Sequence, residues 1–186
     1  MSKSIRIIFV AAALTLAGGV AGNSAYGGST PVNWTVAGTI VNLLVPDFTA
    51  APPAPPFHPG FLIQAFVKGP PGDAKFTVLG FPGIPSESLG QCDGGPGQLF
   101  SPNDMVITFA DLSMIFAKEA EEGGWVCFPT GEGDPVTAVA NMTVTGGTGR
   151  FEGATGGFVG EFVSFPVGDS GAVIAETGTI KGWIDR

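Results

Sequence analysis

Apolar and β-branched residues fall in short runs along this chain. The first part carries Trp34 to Val41, Phe61 to Lys68, Lys75 to Gly80 and Met105 to Phe109. Leu112 to Lys118, Trp125 to Phe128, Val136 to Thr145, Phe158 to Phe165 and Ala172 to Ile184 continue the series, separated by Gly, Pro and Asp clusters. Such runs read as strands, because branched and aromatic side chains suit a pleated, half-buried surface. The chain holds 30 Gly and 16 Pro, too many for long helices when each costs about 1 and about 3 kcal/mol, respectively, in a helix interior. Only Asp111 to Glu122 competes as a helix. Short strands at even spacing predict an all-β sandwich or barrel, and closure removes the edges that an open sheet must protect.

Several runs are apolar on both faces, as where Phe158 and Phe162 alternate with Val159 and Val163. One face fills an interior, and the other needs a covering loop, a partner or a second copy of the chain. A homo-oligomer is the expectation.

The N-terminus breaks the strand pattern. Lys3 and Arg6 precede an apolar run from Ile7 to Ala17, followed by Gly18, Gly19, Ala21, Gly22, Ala25 and Gly27. This order is that of a secretory signal peptide, residues 1–27, with cleavage expected between 22 and 27. The run is shorter than the roughly 20 residues of a membrane-spanning helix, so no integral membrane span is expected and the mature protein is read as secreted, extracellular or periplasmic. Residues 28–186 then form a single domain.

Charge narrows the partners. The formal net charge is −8, and loss of Lys3 and Arg6 with the leader takes it to −10 because no acid precedes Asp47. Nucleic acid and anionic lipid, which bind through clustered Lys and Arg, are excluded as expected partners. Cys92 and Cys127 are expected to pair in an exported chain, where the closed loop stabilises by about 4 kcal/mol in the chain-entropy model. No metal site and no cofactor are expected. Glu119, Glu121, Glu122, Glu132 and Asp134 lack the regular spacing of a calcium loop and read as a solvated acidic rim.

The segment 46–60, with prolines at 46, 52, 53, 55, 56 and 59, cannot supply ladder donors and reads as an extended surface loop between strands. His58 lies inside it without a nucleophile or acid at recognisable spacing, which leaves it a poor catalytic candidate.

One pair of acids offers candidate chemistry. If the last two strands form a hairpin symmetric about Pro166 to Gly171, Phe165 faces Ala172 and Glu161 faces Glu176. Like charges directly opposite repel, so one carboxyl of a buried pair stays protonated. Such a pair can do acid–base work on an enolisable or epoxide ligand, or hold a cation. A single residue of slippage separates the two.

The most specific string is Gly146-Gly147-Thr148-Gly149-Arg150-Phe151-Glu152-Gly153-Ala154-Thr155-Gly156. It lacks the Gly-Lys-Ser/Thr ending of a phosphate loop and joins strand to strand, so no helix N-terminus waits to hold an anion. Gly146, Gly147, Gly149 and Gly153 read as turn glycines, Arg150 as a turn residue, and Phe151 with Ala154 as side chains tucked under one end of the fold.

With the later strand Gly178-Thr179-Ile180-Lys181-Gly182 and the opening Val36-Ala37-Gly38-Thr39-Ile40, this string resembles the allene oxide cyclase and dirigent barrel superfamily, in the form of a bacterial-type secreted member. The resemblance covers roughly Val136 to Ile184. It implies an antiparallel barrel of about eight strands, often trimeric, whose lumen binds a hydrophobic small molecule, and an activity that guides cyclisation or radical coupling without a cofactor. Radical coupling in that family uses lumen tyrosine, whereas the only Tyr here is Tyr26, beside the cleavage region. Three function classes follow. They are a secreted barrel that binds a hydrophobic small molecule, an extracellular structural or adhesive module with a filled core, and a cofactor-free cyclase or isomerase that needs Glu161 and Glu176 together in the lumen.

Overall fold

The computed structural model describes residues 28–46, 57–80, 85–93, 95–100, 103–121, 123–131, 134–167 and 173–186. The expected signal peptide, residues 1–27, lies outside them.

Among the described residues eleven strands follow one another: β1 (Thr30–Pro46), β2 (Phe57–Lys68), β3 (Ala74–Gly80), β4 (Pro85–Ser86), β5 (Gly97–Leu99), β6 (Asp104–Phe109), β7 (Met114–Glu119), β8 (Trp125–Cys127), β9 (Val136–Thr148), β10 (Thr155–Val167) and β11 (Val173–Asp185). The order β10-β11-β1-β2-β3-β6-β7-β9 closes on itself through pairing of β9 with β10. The result is an antiparallel barrel of eight strands, the fold class that the sequence predicts. β8, β5 and β4 extend the sheet beyond β9 as a small side ribbon.

Alternation explains which side chains fill the barrel. On β1, Val32, Trp34 and Val36 are buried while Asn33, Thr35 and Ala37 point outward; on β3, Ala74, Phe76 and Val78 are buried. The period of two makes one face of every strand the lining of the interior. The helix considered over Asp111 to Glu122 is instead a tight reversal followed by β7, in which Ile115 and Ala117 are buried. Two-residue spacing of the buried positions satisfies a strand and leaves a helix without a continuous apolar stripe.

The proline-rich segment is shorter than 46–60. Pro46 pairs with Phe57 and Val45 with His58 in the β1–β2 ladder, so both ends belong to strands, and the remainder, 47–56, lies outside the described residues. Proline enters a ladder where its missing N–H points away from the partner strand.

The Gly146 to Gly156 string also divides differently from the sequence reading. Gly146, Gly147 and Thr148 belong to β9, Gly149–Phe151 form a 3₁₀ turn, and Thr155 opens β10. The register between β7 and β9 shifts between Phe116 and Ala117, leaving Thr145 as the extra residue. The Thr145 hydroxyl donates to the Phe116 carbonyl at 3.3 Å. Gly149, at φ 59, supplies the left-handed turn that an L side chain resists. Its neighbour Arg150 donates its backbone N–H to Ser113 Oγ at 3.2 Å.

One end of the barrel is plugged. Trp34, Phe109, Phe151 and Phe158 pack as tilted rings, with centroids 6.2 Å apart for Trp34–Phe109, 5.8 Å for Trp34–Phe158 and 4.7 Å for Phe109–Phe151. Such offset pairs add roughly 0.5–1.5 kcal/mol each beyond their area burial. The Trp34 indole N–H is held between the carbonyl oxygens of Gly69 and Gly72, at 3.1 and 3.0 Å, in the β2–β3 turn. Outside the plug, the Arg150 guanidinium sits 4.6 Å from the Phe109 ring centroid and 4.8 Å from that of Phe151, and it pairs with Asp111 at 3.4 Å.

Candidate functional site

Above the aromatic plug the barrel is hollow. A cavity of about 300 Å³ is walled by Phe76, Phe158, Phe162, Met105, Met142 and Ile180, among others. Eight strands give an interior that side chains can just fill or that can hold one small ligand. Here several wall positions are small, Gly160, Ala138 and Ala140 among them, and the Phe162 ring leans over Gly160, where a Cβ would meet it at 2.5 Å.

The rim lies at the end away from the plug. Asn42 is exposed, while Ile40, Phe61, Gln98, Phe128 and Ile174 are half-buried. Gln98, Phe100, Val126 and Phe128 reach this rim from the side ribbon and its flanks. That ribbon is possible because β9 changes partner along its length: residues 142–148 pair with β7, while 137–139 pair with β8. The disulfide between Cys92 and Cys127, with a sequence separation of 35, ties the ribbon to the 3₁₀ turn Gly90–Cys92. The pairing expected from the sequence is thus present.

Polar groups in the lumen are few. Glu176 on β11 is 4 % exposed and stands across from Ser164 on β10, itself 3 % exposed. Burial pushes the Glu176 carboxyl up to about 7, against a hydrogen bond from Ser164 that works the other way. Its Oε1 has no hydrogen-bond partner. An unpartnered buried carboxyl oxygen costs free energy unless the group is protonated or a ligand supplies a donor.

The structure does not bring Glu161 and Glu176 together. Glu161 pairs with Thr179 and is exposed on the outer face. Phe165 pairs with Ala175, not Ala172, a displacement of three residues from the symmetric hairpin. An odd displacement turns alternate side chains to opposite faces, so the expected facing pair of carboxyls is corrected to one inside and one outside.

Glu119 also departs from its expected place in a solvated rim. It is buried, its Oε2 accepts from Asn103 Nδ2 at 3.1 Å, and burial pushes its carboxyl up to about 7. Glu121 and Asp134 are exposed as expected; the side chains of Glu122 and Glu132 lie outside the described residues. Ser164 carried no signal as a site residue in the sequence, because nothing local marks a serine that faces a lumen, and the run Trp125 to Phe128 was legible as a strand but not as part of a rim.

The remaining motif residues are structural. Phe151 is fully buried in the plug and Ala154 is buried beside it, while Gly146, Gly147, Gly149 and Gly153 shape the bulge and turn around them. Among the described residues, no helix is long and apolar enough to cross a membrane.

No protein-family model matches the chain, and no curated protein does. Among solved structures, it is similar to the pterocarpan synthase dirigent protein GePTS1, with 13% sequence identity, 88% of each chain covered and a TM-score of 0.32.

Proposed function

We propose that the protein is a secreted barrel that binds one hydrophobic small molecule in its lumen. The observation that carries this reading is the cavity of about 300 Å³, walled by Phe, Met, Val and Ile and holding a single ionisable side chain, Glu176, among its described lining residues. Apolar walls with a few polar groups that fix orientation are the usual make-up of a small-molecule site, and the volume lies at the lower end of such pockets. A hollow interior also disfavours the structural module with a filled core. The cyclase or isomerase reading rested on two convergent carboxyls, and Glu161 on the outer face removes that support. Export is supported by the signal-peptide pattern and by the disulfide.

Self-association belongs to the same proposal. Val41, Val173 and Val167 occupy successive positions across β1, β11 and β10, with Phe165 beside them, and all are exposed. A second and third copy of the chain would cover this apolar face.

Native mass spectrometry of the mature protein purified from secretion fluid tests both statements. A subunit or oligomer carrying a discrete extra mass that is released on unfolding is the expected result. A protein that carries no ligand and fails to take up a hydrophobic fluorescent probe overturns the binding reading, and a monomer at micromolar concentration overturns the oligomer.

A further inference from the structure

We propose, on the basis of that lumen reading, that the ligand class is a hydrophobic amine, bound as its ammonium ion with an N–H donated to Glu176 Oε1.

Three observations converge on this class. The first is the unpartnered oxygen: Glu176 is 4 % exposed, lines the cavity, and offers Oε1 with no donor from the protein. A ligand donor placed there removes the cost of an orphaned acceptor. The second is sign. No Lys, Arg or His occurs among the described residues lining the cavity, so a ligand carboxylate would meet a like charge and no counter-ion. The third is the wall. Phe76 and Phe162, with ring centroids 6.4 Å apart, and Phe158 face the same space, and ring faces attract a desolvated cation.

Among the described residues, the surroundings of Glu176 hold no competing charge. Its neighbours in the ladder are Gly38 on β1 and Ser164 on β10, and the other cavity-lining positions on its own strand are Ile174 and Ile180. The next acid, Glu119, reaches the lumen only through Asn103, whose amide it accepts. Glu161 and Lys181 point outward. Ser164, directly across the ladder, offers a second acceptor for a primary ammonium. An alcohol of the same size also donates one hydrogen bond, but it neither pairs with an ionised carboxyl nor gains from the ring faces, so charge is what separates the two classes.

The test is a matched series of octylamine, octanol and octanoate, titrated calorimetrically into the mature protein at about pH 8, where a group titrating near 7 is ionised. The amine is expected to bind at least about tenfold tighter than the alcohol, and the acid weakest. In Glu176→Gln the amine loses that advantage, and the alcohol binds at least as tightly as the amine. With the unaltered protein, amine affinity is expected to fall at least about fivefold at pH 5.5, which needs no variant to fold. An alcohol that matches the amine in the unaltered protein, or an amine preference that survives Glu176→Gln, overturns the inference while leaving lumen binding intact. Failure of all three to bind overturns the lumen reading and this inference with it.

Discussion

Ser164 stands directly across the β10–β11 ladder from Glu176, and both side chains are buried inside the barrel. A serine hydroxyl is a single partner for a group with two oxygens, and the carboxyl therefore remains costly to ionise where it sits. Its titration becomes a property of the whole fold.

Stability should fall as pH rises through the range of this group. The Glu176 carboxyl moves from 4.5 to about 7 on folding. Below 4.5 both folded and unfolded chains hold the proton and nothing is lost. Between 4.5 and about 7 the unfolded chain releases its proton first, so ionisation favours unfolding; above about 7 the loss is complete. Its size is on the order of 3 kcal/mol. Denaturant melts at pH 4.5 and 7.5 should show this difference, and Glu176→Gln should flatten it. Glu119 is shifted in the same direction by burial, so Glu119→Gln should remove a further, smaller part. Equal slopes with pH in all three proteins would contradict the assignment.

The cation over the plug should contribute measurably. Arg150 covers the rings of Phe109 and Phe151 and pairs with Asp111, whose carboxylate accepts the Ser113 backbone N–H at 3.1 Å. Arg150→Ala is expected to cost about 1–2 kcal/mol, and Arg150→Lys to recover only part, since an ammonium neither stacks nor forks as a guanidinium does. Thermal melts of the two variants provide the comparison.

Trp34 holds the β2–β3 turn through its indole N–H. Trp34→Phe keeps a ring in the plug but leaves the carbonyls of Gly69 and Gly72 without that donor. A loss of about 1–3 kcal/mol is expected, with faster amide exchange in 69–73 than elsewhere in the barrel.

Opening the disulfide should loosen the ribbon before the barrel. Replacing Cys92 and Cys127 by Ser is expected to cost about 4 kcal/mol for a loop of this length. Hydrogen exchange should rise first in Gly97–Leu99 and Trp125–Cys127, which pair through short ladders, while β1 and β11 stay protected. Uniform loosening would show that the ribbon and barrel unfold as one unit.

The sequence made the strands legible because inward and outward positions alternate along them, as in Val32, Trp34 and Val36. It made the disulfide legible because only two thiols exist. Register was another matter. The β10–β11 partners depend on how many residues the connecting turn consumes, and a change from Phe165 opposite Ala172 to Phe165 opposite Ala175 moves Glu161 outside. Burial of Glu119 was hidden by its charge: it sits among Lys118, Glu121 and Glu122 in the chain, yet it continues the inward alternation of Ile115 and Ala117 on β7 and pairs with Met142 of β9. Side chains that meet across a strand pair, such as Ser164 with Glu176, or between a strand and the residue before its neighbour, such as Glu119 with Asn103, leave no mark in a local pattern.

The aromatic plug makes the lumen a blind vessel. With Trp34, Phe109 and Phe151 sealing its floor, a guest held there as proposed would have to leave by the route it entered, and an incoming molecule could not push a resident one through. For such a guest, entry and exit would share one passage past rim groups such as Asn42, Gln98 and Phe128, so a change at the rim would alter both rates together.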